Sequence, residues 1–401
     1  MRLALAAFLI ASAACVAQQR AQLAGIVRDP TDAVVPGAMV SVVHLDTGVR
    51  RVTQSNGEGF YAISSLAAGN YKITVRKDGF RTVAQLGVLL EALETARFDF
   101  SLPIGSAHET VTVESNTPLL NIEDLTTTLV LNAARARDLP VNGRALQGLI
   151  DLAPGVLATP ATSGEAGQFS ANGQRPNTNY FTVDGVSANN GVIGSGLPGQ
   201  FSGGALPAMT AIGSLHNLAT ASELEEVRVQ TSTFAPEYGR LPGAQVAVIT
   251  RSGSNSLHGD AYGYLRDRSL AANDWFANRA AMPSGEHRLR HFGGSLSGPI
   301  RKDSIFGLIA IERLRLRRGV SFLSAMPSDA ARRTDADPAS RILNAFPRAT
   351  GPELGNLTSE FPVTMLSSGG LQTVGARVVA SMQERGSLFV RYSNARSDNE
   401  T

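Results

Sequence analysis

From residue 22 onward, short runs of alternating apolar and polar residues are separated by Gly, Pro, Asn and Asp. Alternation with period two is the signature of half-buried strands. It predicts strands at Leu23–Val27, Ala38–Val43, Gly59–Ile63, Tyr71–Val75 and Ala96–Leu102, punctuated by turns at Asp29-Pro-Thr-Asp32, Asn56-Gly57 and Gly69-Asn70. One face of each run is apolar, so residues 22–102 read as a two-sheet sandwich with Tyr61, Tyr71 and Phe80 in its core. After a polar stretch over 103–118, Ala133–Asp138 and Arg144–Leu152 show helical spacing, and Pro154-Gly155 stops the second of these. Residues 155–217 are loop-like, with a strand at Tyr180–Val186 that turns at Asp184-Gly185, and a further strand at Glu223–Val229. From Ala244 the texture changes to longer alternating runs: Ala244–Thr250, Leu257–Arg266, His291–Gly298, Ile305–Arg317, Val374–Met382 and Ser387–Asn394. Arg313-Leu-Arg-Leu-Arg317 alternates cleanly, as one face of a strand does.

The first residues change the picture. Arg2 followed by the apolar run Leu3–Ala14 and the small residues before Gln18 form a secretory signal over residues 1–17. The one cysteine, Cys15, lies inside it and is either lost on cleavage or lipidated. No later run reaches the roughly 18 apolar residues of a membrane helix, so a membrane role would fall to a β-barrel.

Composition excludes several chemistries. Charged residues are 17% of the chain, Gly numbers 40 and the net charge is +2, which gives nucleic acid no basic surface. Of the six histidines only His287 and His291 are four apart, and the residues between them carry no zinc-protease glutamate. That pair reads as part of a charged extracellular loop. Trp275 and Phe276 read as a loop anchor. No nucleophile elbow or phosphate loop is present around Gly194-Ser-Gly196 or Gly203-Gly204, and the reading is of a protein without catalytic residues, metal or cofactor.

Two resemblances sharpen this. Gly25-Ile-Val-Arg-Asp29, Val35-Pro-Gly-Ala-Met-Val40, Asn56-Gly-Glu-Gly-Phe-Tyr61, Leu66-Ala-Ala-Gly-Asn-Tyr71 and Lys77-Asp-Gly-Phe80 resemble the carboxypeptidase regulatory-like domain, a transthyretin-like sandwich without catalytic residues. Leu139-Pro-Val-Asn-Gly-Arg144, Gln174 to Gly185, Pro236-Glu-Tyr-Gly-Arg240, Thr250 to Asn255 and Phe292 to Ile300 follow in an order that resembles TonB-dependent outer-membrane receptors of the Oar-like kind. The resemblance implies a mostly β chain: a sandwich, then an α+β plug domain over 119–243, then the first antiparallel strands of an incomplete transmembrane β-barrel over 244–401. It implies plug signature residues Asn142, Gly143, Arg144, Asn179, Asp184, Gly185, Tyr238 and Gly239. In the 103–118 linker, Glu109, Thr110, Val111, Thr112 and Val113 are placed as a TonB box, an unpaired strand that a TonB-type energy-transducing protein would engage by β-augmentation; an ordinary strand is the simpler alternative.

The implied function is energised uptake of a large scarce ligand (oligosaccharide, siderophore or peptide) across the outer membrane through a plug-gated pore. The alternative is a non-transporting surface or periplasmic binding or adhesion module. A plug of this size needs a barrel on the order of 22 strands. The 158 residues from Ala244 supply roughly six to eight. The expectation is therefore the N-terminal portion of a longer receptor.

Overall fold

The computed structural model describes residues 21–106, 110–114, 127–139, 146–159, 168–190, 206–207, 209–210, 213–214, 218–232, 234, 239–270, 272, 275, 278, 287–333, 342–382 and 386–400. The signal segment 1–17, with Cys15, lies outside them, as do Glu109, Asn142, Gly143, Arg144, Tyr238 and Phe276.

The N-terminal strands pack as two sheets. One joins β4 (Phe60–Leu66), β1 (Ala21–Arg28) and β7 (Thr95–Arg97), with β8 (Phe100–Ser101) also on β1. The other has the order β3 (Arg50–Gln54), β2 (Met39–His44), β5 (Gly69–Arg76), β6 (Thr82–Leu90), β9 (Thr110–Glu114). In β1 every second residue is buried, which is the alternation that the sequence carries. Leu23, Val27, Val40, Val42, Ile73, Val75, Leu90 and Leu102 close the core between the sheets. Tyr61 and Tyr71 are buried with them, and Phe80 packs at the margin. Each tyrosine keeps a partner for its hydroxyl: Tyr61 Oη donates to Phe98 O at 2.6 Å and Tyr71 Oη to Ala67 O at 2.8 Å. At the Asn56-Gly57 turn, Asn56 Oδ1 accepts from the amides of Glu58 and Phe60.

β9 corrects one expectation. The Thr-Val-Thr-Val segment is not an unpaired strand: it runs parallel to β6, Thr82 opposite Thr110 and Leu86 opposite Glu114. The same alternation that suits docking on a partner's sheet suits docking on the chain's own sheet. Among the described residues β9 is nevertheless the edge of its sheet.

The central residues build a five-stranded sheet in the order β10 (Thr127–Asn132), β19 (Leu224–Ser232), β20 (Gln245–Thr250), β13 (Tyr180–Val183), β14 (Val186–Ser187). β19 is antiparallel to both neighbours, and β13 is parallel to β20. Small two-stranded pieces accompany it: β11 (Val156–Ala158) with β12 (Phe169–Ala171), β15 (Asn189–Asn190) with β16 (Leu206–Pro207), and β17 (Met209–Thr210) with β18 (Gly213–Ser214). Helix Ala133–Asp138 is capped by Asn132, whose side chain accepts from Arg135 N; the second helix spans Leu146–Ile150 and buries Leu146, Leu149 and Ile150. The core gathers Phe169, Phe181, Val227, Val229, Val246 and Val248.

The placement of β20 is a second correction. Ala244–Thr250 was expected to open the barrel, yet Gln245–Thr250 is a central strand of this sheet. Both of its faces are covered, so alternation carries no information there.

The remaining strands form one six-stranded sheet in the order β21 (His258–Arg266), β22 (His287–Arg301), β23 (Ile305–Pro327), β25 (Thr358–Ser381), β24 (Glu353–Gly355), with β26 (Ser387–Glu400) on β25. These strands, up to 24 residues long, exceed the runs visible in the sequence. By contacts, the described residues up to 261, with 294–311 and 373–395, make one compact unit; 262–293, 312–372 and 396–400 make the other.

Candidate functional site

The site of greatest chemical density lies in the first unit, around Asp184. Val183 ends β13 and Val186 begins β14, so the chain reverses over Asp184-Gly185 with φ of 50° and 86°. Asp and Gly are the residues that tolerate that turn. The reversal buries the Asp184 carboxylate, which is 5% exposed. Its Oδ1 accepts from Thr250 N at 2.9 Å and from Arg377 Nη1 at 3.1 Å; its Oδ2 accepts from Thr250 Oγ1 at 2.8 Å and lies 3.7 Å from Arg391 Nε. Arg377 also donates to Thr250 O and Oγ1. Arg391 Nη2 donates to Leu218 O at 2.7 Å and lies 3.8 Å from Glu223 Oε2, which accepts from Thr220 N at 2.8 Å.

Two carboxylates of the central sheet region thus hold two guanidiniums carried by β25 and β26. A second cluster stands beside it: Arg251 donates to Ser222 O, to Asp260 Oδ1 at 3.3 Å and to Ser295 Oγ at 2.6 Å, and Ser222 Oγ donates to Asp260 Oδ2 at 2.7 Å. Both clusters border a cavity of about 690 Å³ whose wall also includes His44, Asp46 and Arg51 of the sandwich. Buried pairs of this kind are costly to break singly, because the partner is left charged and dry. The arrangement is a buried ion-pair network that ties the central sheet to strands β25 and β26.

The sandwich is joined to the same unit at two places. Asn255 N donates to Asp46 O at 2.9 Å, while Asn255 and Asp303 exchange side-chain to side-chain and backbone bonds of 2.8 Å. Elsewhere Ala92 N donates to Glu226 Oε2 at 2.9 Å, and Arg228 lies 3.6 Å from Glu91 and 4.0 Å from Glu226. Burial pushes the Glu226 carboxyl up to about 7, against the pull of the Ala92 amide and Arg228. The docked state therefore binds a proton that the free carboxyl releases near its ordinary value. Docking should weaken as pH rises from about 4.5 to about 7, by on the order of 3 kcal/mol, and stay flat above. Glu226→Gln, which still accepts from Ala92, should flatten that profile. Hydrogen exchange at residues 90–94 measured across this range reads it; an unchanged profile in the variant would place the titration elsewhere.

Of the residues singled out from sequence, Asp184 and Gly185 form the latch turn. Asn179 does structural work: buried, its Nδ2 donates to Phe169 O at 2.8 Å and its Oδ1 accepts from Ala244 N at 2.9 Å, tying β12 to the start of β20. Gly239 O accepts from Gln245 Nε2 at 3.4 Å. Thr110, Val111, Thr112 and Val113 are in β9, remote in sequence from the latch. Arg377, Arg391, Glu223 and Thr250 were not singled out as site residues. A detectable signal existed for the two arginines: each is a lone charge within an otherwise apolar stretch of a long strand. The histidine pair is also corrected. His287 and His291 lie on strand β22, not in a loop. Four residues along a strand separate them by about 13 Å, too far to share one ion. His291 is buried against Glu312, 3.3 Å away, and edge-on to Tyr262. Trp275 is exposed.

Comparison with known proteins agrees with the architecture. Residues 22–103 match the carboxypeptidase regulatory-like domain, and residues 249–400 match the outer membrane beta barrel domain. The last third of the chain is thus similar to an outer-membrane β-barrel domain, and its N-terminal part to a regulatory-like sandwich. The chain is 27% identical over 270 residues to the TonB-dependent transporter Oar of Myxococcus xanthus, an alignment that covers 63% of this chain and 22% of that protein. The chain thus spans about a fifth of the length of the curated relative it matches. Among solved structures, the siderophore receptor PirA of Acinetobacter baumannii aligns at 16% identity, covering 68% of this chain and 32% of that one, with a TM-score of 0.41. The outer membrane transporter YddB of Escherichia coli aligns at 15% identity, covering 68% and 33%, with a TM-score of 0.41.

Proposed function

We propose that this chain is the gated portion of an energised outer-membrane transporter. The central α+β region acts as the plug, strands β21 to β26 belong to the barrel wall, and the Asp184 latch holds one to the other. The observation that carries this reading is the pairing of Asp184 and Glu223 with Arg377 and Arg391, residues 168 to 207 positions apart in sequence. An ion-pair latch is firm at rest and reversible, because water can replace each partner once the plug shifts. Among the described residues β21 and β26 have no neighbour on their outer sides, and in lipid such backbone groups have to be paired with another strand.

The residues 110–114 are the proposed point of engagement for a TonB-type energy-transducing protein. They offer the open edge of β9, with Val111 and Thr112 exposed, so a partner strand can add there without first unpairing β6. The transported ligand is a large scarce molecule of the siderophore, oligosaccharide or peptide class.

Cysteine placed at Val111 is expected to crosslink to a cysteine in the periplasmic domain of a TonB-type protein, whereas cysteine at exposed Leu45 is not. Equal crosslinking at both positions, or none at Val111, would refute engagement through this edge. A carbonate wash of the membranes separates the alternatives: a barrel-wall protein stays in the pellet and a peripheral binding module does not.

A further inference from the structure

Glu312 is the charged member of an apolar row. On the same face of β23, Phe306, Leu308, Ala310 and Leu314 are buried, and Glu312 is buried with them. A carboxylate in such a place is costly unless it is paired or holds a metal. On the neighbouring strand β22 stands His291, 2% exposed, with its Nε2 3.3 Å from Glu312 Oε1. That approach has the length of an ion pair but not the direction of a hydrogen bond: His291 Nε2 is a buried atom with no hydrogen-bond partner. A buried polar atom left in that state calls for an explanation. The other carboxylate oxygen is occupied, since Glu312 Oε2 accepts from Tyr262 Oη at 2.8 Å. The imidazole is held in place by two rings of β21, Tyr262 at 5.3 Å between centroids and Tyr264 at 6.0 Å. All four residues belong to the second compact unit.

The spacing is that of two ligands on one metal ion. Zinc bonds a histidine nitrogen or a carboxylate oxygen at about 2.1 Å. Two such bonds to atoms 3.3 Å apart enclose about 104° at the ion, near the tetrahedral angle. Tyr262 then stands as the outer partner that orients a ligating carboxylate. An imidazole with a carboxylate suits zinc and its divalent neighbours; magnesium and calcium take oxygen alone.

We propose that His291 and Glu312 bind a divalent transition-metal ion of the zinc class, that Tyr262 positions the carboxylate, and that the remaining coordination positions are left to water or to donor groups of a bound molecule. A search for ligands among neighbours in the chain passes over this pair, because its members are 21 positions apart on adjacent strands. The site needs only the sheet of β21 to β23, so it stands or falls apart from the transport reading.

The test uses the full chain in detergent micelles, freed of metal with a chelator and titrated with zinc by calorimetry. X-ray absorption of the zinc-loaded chain then reads the ligands. The parent is expected to take up one zinc ion held by one imidazole and otherwise by oxygen. His291→Gln and Glu312→Gln should each weaken binding about a hundredfold, and Tyr262→Phe about tenfold. His287→Gln, four residues along the same strand, should leave it unchanged. A parent that takes up no zinc at micromolar concentration overturns the proposal and leaves His291 and Glu312 as an ion pair. Equal binding by His291→Gln, or a loss of the same size in His287→Gln, overturns it as well. Should the Gln variants fail to fold by circular dichroism, the parent's absorption spectrum and Tyr262→Phe decide: two or more imidazoles on the ion, or an affinity indifferent to Tyr262, contradicts this site.

Discussion

Asp184→Ala should loosen the central domain by about 3–5 kcal/mol, the cost of breaking a buried ion pair from one side. The loss has three parts. Arg377 and Arg391 would face each other with little solvent to share, since their side chains are 13% and 16% exposed. The Thr250 amide would lose its acceptor. The tight Asp184-Gly185 turn would give way to a residue that resists φ near 50°. Asp184→Asn keeps the turn and an acceptor for Thr250, so it should cost less, about 1–3 kcal/mol. Hydrogen exchange at residues 180–187 and 245–250 reads the difference. Protection that survives in the alanine variant would show that the latch is not what holds these strands.

A change of comparable size is expected at Gly25, in the middle of β1. A Cβ there would overlap the Phe98 carbonyl oxygen and press on the Tyr61 ring at 3.0 Å. The obstacle is backbone, and Phe98 also donates its own amide to Ala24 O at 2.8 Å, so neither chain can step aside without breaking the sheet. Gly25→Val should destabilise the sandwich by about 3 kcal/mol or more. Gly57 is the control: nothing stands within 4 Å of a Cβ there, and Gly57→Ala should stay within about 0.5 kcal/mol. Thermal unfolding of the chain with each substitution compares them. A Gly25 variant that melts with the parent would mean that β1 and the 98–100 segment can separate freely.

These two sites differ in how far the sequence discloses them. The sandwich was legible because its strands bury one face: in β1 and β5 the alternation of residues is the alternation of burial. The strands that escaped notice lack that contrast. β3 reads Arg-Arg-Val-Thr-Gln and is half-exposed throughout, while β6 is interrupted at Gly87, with φ of 73°. β20 bears no alternation that would mark its sheet, because both of its faces are buried. At the latch, Asp184-Gly185 could be found because a tight turn leaves a local mark. Arg377 and Arg391 could not be assigned to it, since pairing across 193 and 207 positions follows from sheet packing rather than from neighbouring residues. The β9 segment shows the opposite limit: its residues were noticed, but alternation alone does not say whether a strand pairs with its own sheet or with another protein.

The central claim is that a pull on residues 110–114 draws the central domain away from the barrel strands by breaking the Asp184 latch. The direct measurement is force spectroscopy on the membrane-embedded chain with a handle at residue 111. The account predicts a first rupture that lengthens the chain by no more than the span from residue 115 to residue 250, at a force that Asp184→Asn lowers, with β21 to β26 still in the membrane. Extraction of those strands in the first event, or a rupture force indifferent to Asp184, would contradict it.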